Sequence, residues 1–186
     1  YSAMAQISAT NPVHACAAYG MPVLAAEAYT GFAHYSETPW DLKPYGDLAF
    51  SEGINLMVLH SYVHQPFEKK PGFTLGQWGS HFNRHNPWWQ HFNSFSTYLA
   101  RQQYILQQGQ AHADICYFIG DRMPQFQGKN PLFRLPFGYK ADHINPDLLV
   151  NQMEMKNGKL VLPGRGEYRL LILPDDDVFS LESLQK

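Results

Sequence analysis

MPVLAAEAY at residues 21–29 and INLMVLHSYVH at residues 54–64 decide the architecture. Each is a near-continuous apolar run that ends on polar side chains, Glu27 in the first and His60 and His64 in the second. Unalternated runs of this length suit strands buried on both faces, as in a parallel sheet. Between them, PWDLKPYGDLAFSEG (39–53) predicts a helix over residues 45–51 closed by Gly53. Upstream, NPVHACAAYG (11–20) reads as a short helix with Asn11 as cap, Pro12 at the first helical position and Gly20 as stop. Helix, strand, helix, strand, with polar groups arriving at the strand C-termini, is the order of a (β/α) barrel or an open parallel sheet, so the class is α/β.

The long connection over 65–91 is rich in Pro, Gly, Trp, His and Asn, the composition of a functional loop. From Trp89 to about Gln108, apolar residues at Phe92, Phe95, Tyr98, Leu99, Ile105 and Leu106 space an amphipathic helix that Gly109 ends. ADICYFIGD (113–121) is a third buried strand with a Gly-Asp turn, and residues 122–143 are irregular. INPDLLVNQ (144–152) predicts a short helix capped by Asn145. MEMKNGKLVLPGRGEYRLLILP (153–174) predicts a hairpin at Asn157-Gly158 and a buried strand from Tyr168 to Leu173.

Net charge is −2 with no basic run, which argues against nucleic acid or an anionic membrane surface as partner. No stretch reaches the roughly 18 apolar residues of a membrane span. The start, YSAMAQISATNP, has neither the basic nor the apolar segment of a signal peptide. Cys16 and Cys116 read as small buried hydrophobes, not a disulfide framework.

The informative composition is aromatic: 15%, with Trp40, Trp78, Trp88 and Trp89 confined to one half of the chain and histidines dense over the same region. Flat apolar faces with polar tips suit sugar recognition, where rings stack on C–H faces and imidazoles bond hydroxyls. A purely structural cluster has the same composition.

Glu27 ends an otherwise uncharged run, which puts a carboxylate at the mouth of the sheet, suited to proton abstraction or nucleophilic attack at an anomeric carbon. A buried Glu held by a structural Arg is the competing reading. His60 and His64 are expected on the same rim, there to bond sugar hydroxyls, to pack structurally or, less well matched for want of an HExxH pattern, to bind metal. WGSHFNRHNPWW (78–89) offers Trp78, His81, Asn83, Arg84, His85, Asn86 and Trp88 as the wall of a sugar subsite. Arg84 neutralises Glu27 if that loop folds over the mouth, and Trp89 reads as the anchor of the following helix. Asp41 and Asp47 read as capping or solvent-exposed residues, and Asp175, Asp176 and Asp177 as a solvated turn, with a calcium site the alternative there.

The blocks PVLAAEAYT, LKPYGDLAFSEGINLMVLHSYVHQP, PGFTLGQWGSHFNRHNPWW and YLARQQYILQQGQAHADICYFIGD together resemble glycoside hydrolase family 106, the α-L-rhamnosidase-type enzymes. GYKADHINPDLL and LPGRGEYRLLILP are similar to the flavodoxin-like domain that follows the barrel in such enzymes. The resemblance implies the last part of a (β/α)8 TIM barrel over 1–110 and the start of a flavodoxin-like α/β domain over 111–186. It implies an inverting, two-carboxylate glycosidase acting on a carbohydrate such as a terminal α-L-rhamnosyl residue. Glu27 matches the family's general base, and the general acid is expected upstream of residue 1. It also implies a calcium requirement without assigning ligands, a secreted or periplasmic location, and partnership with the remainder of a parent polypeptide, the piece alone being inactive. Two readings from other classes compete. One is a non-catalytic carbohydrate-binding or structural remnant; the other, a nucleotide-binding module, finds only Gly120-Asp121 where a GxGxxG would stand.

Overall fold

The computed structural model describes residues 18–110, 112–122, 135–175 and 178–186. The expected helix over 11–20 falls almost wholly outside the described residues, as do Cys16, Asp176 and Asp177. Residues Val23–Gly109 make one compact unit, and a second unites residues 18–22 with those that follow Gly109.

In the first unit the two decisive runs become strands β1 (Ala25–Ala28) and β2 (Leu56–Leu59), paired parallel with Glu27 opposite Val58 and Ala28 opposite Leu59. Helix α1 (Pro39–Glu52) connects them. It starts six residues before the expected Tyr45. Thr38 and Asp41 close its first turn, the Thr38 N–H donating to Asp41 Oδ2 at 2.9 Å, and Pro39 supplies a preset φ at N1. Pro44 is carried inside the helix, costing the bond its nitrogen cannot make. Gly53, at φ 111°, ends it by donating its N–H to the carbonyls of Ala49 and Phe50. A 3-10 turn at Trp89–His91 leads into α2 (Phe92–Leu106), which buries Phe95 and Leu99 as its spacing predicts, while Ile105 is exposed. The backbone N–H of Met57 on β2 donates to Gln103 Oε1 of α2 at 2.7 Å.

One expectation fails here. The strands are not buried on both faces: Ala28 and Met57 are buried, whereas Leu56 and Val58 remain 37% and 53% exposed beside exposed Ala25 and Glu27. With a side-chain period of two, one face of the pair is covered and the other is open and largely apolar.

In the second unit β3 (Ile115–Phe118) is the centre of a parallel sheet between β4 (Ala141–Ile144) and a later strand, β8 (Leu170–Ile172). β4 corrects the reading of 122–143 as irregular throughout. Its Asp142-His143 breaks the apolar pattern, but Asp142 is buried and accepts the Tyr168 hydroxyl at 2.9 Å. The next residues follow the sequence more closely. Asn145 Oδ1 caps the turn by accepting the Leu148 N–H at 3.0 Å, and residues Leu148–Gln152 wind as a π-helix.

β5 (Glu154–Lys156), β6 (Lys159–Leu162) and β7 (Gly166–Tyr168) form an antiparallel meander, with Asn157 and Gly158 at φ 52° and 74° in the expected hairpin turn. The single strand expected over Tyr168–Leu173 is two: Tyr168 ends β7, and Leu170–Ile172 joins the parallel sheet with Leu170 and Leu173 exposed. Arg169 marks the switch, its N–H donating to the Asp114 carbonyl at 2.8 Å. The core gathers Cys116, Phe118, Ile144, Leu148, Met153, Leu162 and Tyr168. Burial and the neighbouring Asp142 push the Cys116 thiol up to about 12, so it behaves as the inert hydrophobe expected. The short helix α3 (Leu181–Gln185) closes the chain, capped by Ser180. No helix among the described residues is long and apolar enough to cross a membrane.

Candidate functional site

β1 stops because Tyr29 takes φ 68°, a left-handed conformation that an aromatic residue holds only when its surroundings fix it. The fixing is packing: Tyr29 is fully buried, its ring 6.1 Å from that of Phe82 and 6.0 Å from that of Phe95. Burial first, then the adjoining Tyr98 phenol and the Asp47 carboxylate, raises its phenol well above the ordinary value. Two residues earlier, Glu27 stands exposed on the open face, and the Thr30 hydroxyl donates to its Oε1.

The end of β2 lies alongside, with the His60 N–H donating to the Ala28 carbonyl at 2.9 Å. The peptide bond between His60 and Ser61 is cis. A third segment then enters between the two strand exits. Gly79 N–H donates to Gly31 O at 2.6 Å and Ser80 N–H to Tyr29 O at 3.0 Å. On the other side Ser61 N–H donates to Ser80 O at 3.0 Å and Phe82 N–H to Ser61 O at 3.1 Å. The rim is therefore a composite of three distant stretches, held by backbone bonds.

Under that rim sits a residue the sequence did not flag. Glu37 is buried; it accepts the Ser80 hydroxyl at Oε2, 2.6 Å, and its carbonyl accepts the Trp88 indole N–H at 2.7 Å. Nothing in the polar run Ser36-Glu37-Thr38 distinguishes it from a solvated loop acid.

The expected site residues separate by burial. Glu27, His64, Trp78 and Arg84 are exposed, and His60 is half-buried with its Nδ1 enclosed and without a bond among the described residues. His81 and Asn83 do not present a wall. His81 is 1% exposed, shares a 3.1 Å contact between its Nε2 and His34 Nδ1, and lies under the Tyr35 ring at 4.6 Å. Burial first, then His34 and His60, lowers its pKa, so the imidazole is neutral at neutral pH. Asn83 is equally buried, donates from Nδ2 to the Tyr35 hydroxyl at 3.2 Å and accepts the His85 N–H at 2.9 Å. These two brace the loop from inside. Trp88, half-buried between Phe82 and Phe92, braces it likewise. Trp89 stacks on Phe92 at 4.9 Å, the anchoring role expected of it.

Arg84 does not pair with Glu27. Its Nη2 donates to Phe67 O at 2.9 Å and to Glu68 at 3.1 Å, closing the 65–73 loop. Gln65 holds the same loop by accepting the Phe73 N–H at 2.8 Å and donating to the Phe73 carbonyl. Asp41 belongs to the first turn of α1, as read, and Asp47 is engaged by Lys43 at 2.5 Å and by the Tyr98 hydroxyl. Among the described residues no group of three His, Cys, Asp or Glu side chains converges on a metal.

Chemically, the arrangement presents an accessible carboxylate, engaged by a hydroxyl donor, at the end of β1, with His60 following the end of the neighbouring β2. It can accept a proton from water or polarise a sugar hydroxyl.

Three comparisons with known proteins bear on the family of the chain. The sequence model of glycoside hydrolase family 106, described as alpha-L-rhamnosidase, matches residues 3–186. A Formosa agariphila protein named "Putative beta-glucuronidase" is 40% identical over 171 residues, covering 90% of this chain and 14% of that protein. The structure of a rhamnosidase from Novosphingobium sp. PP1Y superposes with a TM-score of 0.84 at 31% identity, over 95% of this chain and 17% of that one. The chain thus spans less than a fifth of the length of either relative.

Proposed function

The chain belongs to glycoside hydrolase family 106, and from that membership we propose that it carries the general base of an inverting glycosidase that releases terminal α-L-rhamnosyl residues. Glu27 takes the proton of the attacking water; the general acid comes from another part of a longer polypeptide. In an inverting enzyme the two carboxyls stand about 6.5–9.5 Å apart with the water beside the base. The observation that carries this reading is the place of Glu27: an accessible carboxylate at the C-terminal end of a parallel strand, on the sheet's open face. Catalytic groups of (β/α) barrels collect at that end of the strands.

The same reading makes β1 and β2 the last two strands of a (β/α)8 barrel, their open face with Leu56 and Val58 turned toward the barrel interior. The parallel sheet of the second unit is then the opening of a flavodoxin-like domain. His60 and His64 supply polar contacts to the sugar, and a secreted or periplasmic setting fits a glycan substrate.

The test is Glu27→Gln in the protein at full length, assayed on an aryl α-L-rhamnoside with the first-formed sugar followed by NMR. The wild type should release the β-anomer. The variant should lose on the order of 10²–10⁴ in kcat with KM little changed. Activity within a few-fold of wild type removes Glu27 from the role, and a wild type that hydrolyses nothing leaves a carbohydrate-binding module instead.

A further inference from the structure

Phe32 and Trp78 come from different loops, yet their ring centroids lie 4.3 Å apart with planes tilted by 46°. Both are about half exposed, 50% and 45%. Two large rings in contact, each half open, can offer adjoining apolar faces to the C–H face of a sugar. The pair is also built rigidly. The residue before Phe32 and the residue after Trp78 are joined by the 2.6 Å bond from Gly79 N–H to Gly31 O. The next residue, Ser80, is bonded to Tyr29 through its N–H and to buried Glu37 through its hydroxyl. The platform stands near Glu27, since Thr30, which bonds that carboxylate, is two residues from Phe32. Two residues span at most about 7 Å of chain.

Charge narrows the ligand. The three rim stretches, 27–35, 60–64 and 78–83, contain no Lys or Arg. The next cation in sequence, Arg84, is engaged by Glu68 and the Phe67 carbonyl. A sugar carboxylate would meet the Glu27 charge with no Lys or Arg on these stretches to pair it, whereas a neutral ring needs none.

We propose that Phe32 and Trp78 form a stacking subsite for a neutral pyranose, whose apolar C–H or methyl face lies on the two rings beside Glu27. The proposal rests on the reading of Glu27 as a glycosidase carboxylate, and its test is separable from that reading. In the protein at full length, L-rhamnose and D-glucuronate are titrated calorimetrically. Trp78→Ala and Phe32→Ala should each raise the Kd for L-rhamnose about tenfold, and Trp78→Phe no more than about threefold. D-glucuronate should bind the wild type at least about tenfold more weakly than L-rhamnose. Glu27→Gln should leave the rhamnose Kd within about threefold, so a fully active Glu27→Gln protein that still loses rhamnose on Trp78→Ala supports the subsite while removing the base. Alanine variants that bind rhamnose within about twofold of wild type, a wild type that binds no rhamnose, or glucuronate bound as tightly as rhamnose would each overturn the proposal.

Discussion

Gly79→Ala tests whether the rim is as tightly closed as its backbone bonds indicate, and a matched control comes with it. Gly79 has φ +84°, and a Cβ there would lie 2.6 Å from the His60 carbonyl oxygen and 3.0 Å from its carbon, with the His60 ring nitrogen also in the way. Two of those atoms are backbone and cannot swing aside. Gly76 has nearly the same backbone, φ +73°, but no atom within 4 Å of the would-be Cβ. The left-handed conformation alone costs an L-residue about 1–2 kcal/mol. Overpacking adds about 1–3 kcal/mol. Gly76→Ala should therefore destabilise by about 1–2 kcal/mol and Gly79→Ala by about 2–5 kcal/mol. Hydrogen–deuterium exchange reads the difference locally. Peptides covering 54–64 and 78–83 should lose protection in Gly79→Ala and keep most of it in Gly76→Ala. Because Gly79 also ties the exit of β1, kcat should fall on the order of tenfold in Gly79→Ala only, the barrier being sensitive to small misplacements. Equal effects from the two substitutions would mean that Gly79 is kept for its φ alone and that the third segment is loosely seated.

Two further expectations follow from buried carboxylates. Glu37→Ala leaves the Ser80 hydroxyl without its acceptor and should cost about 1–3 kcal/mol in urea unfolding, whereas Glu37→Gln keeps an acceptor and should cost less than half as much; equal losses would mean that Glu37 matters only as volume. For Asp142, burial lifts the carboxyl above its ordinary 3.8, against the opposing Tyr168 hydrogen bond and the His112 charge. A folded-state value raised above the unfolded one means a contribution fully present below the unfolded value and lost as pH rises through the folded value. Asp142→Asn cannot ionise, so its stability relative to wild type should climb over that acid-side window and level off above it. A difference that does not vary with pH would place Asp142 outside any effective burial.

What the sequence made legible was the grammar of apolar runs. Residues 21–29 and 54–64 announced parallel strands, and the Asn157-Gly158 pair its hairpin, because both signals are local. Whether a strand is covered on one face or two is not local. Leu56 and Val58 look the same in sequence whether a helix or open space lies above them, so the sequence does not distinguish the open face from a buried one. β4 is hidden in the sequence because Asp142 breaks its apolar pattern, and the partner that makes that acid tolerable, Tyr168, lies 26 residues away. Tyr168–Leu173 merged two strands because the chain crosses from one sheet to the other at Arg169 without a Gly or Pro to punctuate it.

The candidate site divides along the same line. Residue type singled out Glu27, since a lone charge closing an apolar run is itself a local signal, and it grouped Trp78, His81, Asn83, Arg84 and Trp88 because sugar walls and braced loops use the same side chains. Only burial parts them: His81 and Asn83 spend their polar atoms on Tyr35, His34 and the loop backbone, whereas Trp78 keeps its face for solvent. Glu37 was beyond reach, because a buried acid and a loop acid are the same letter. The closure of the rim rests on carbonyl and amide bonds among residues near 30, 60 and 80, groups that every residue carries and no composition reveals. Its one trace in the sequence is Gly79. A side chain at that position would meet the His60 carbonyl and ring, so the glycine that looks like loop filler is what lets the third segment close against the exit of β2.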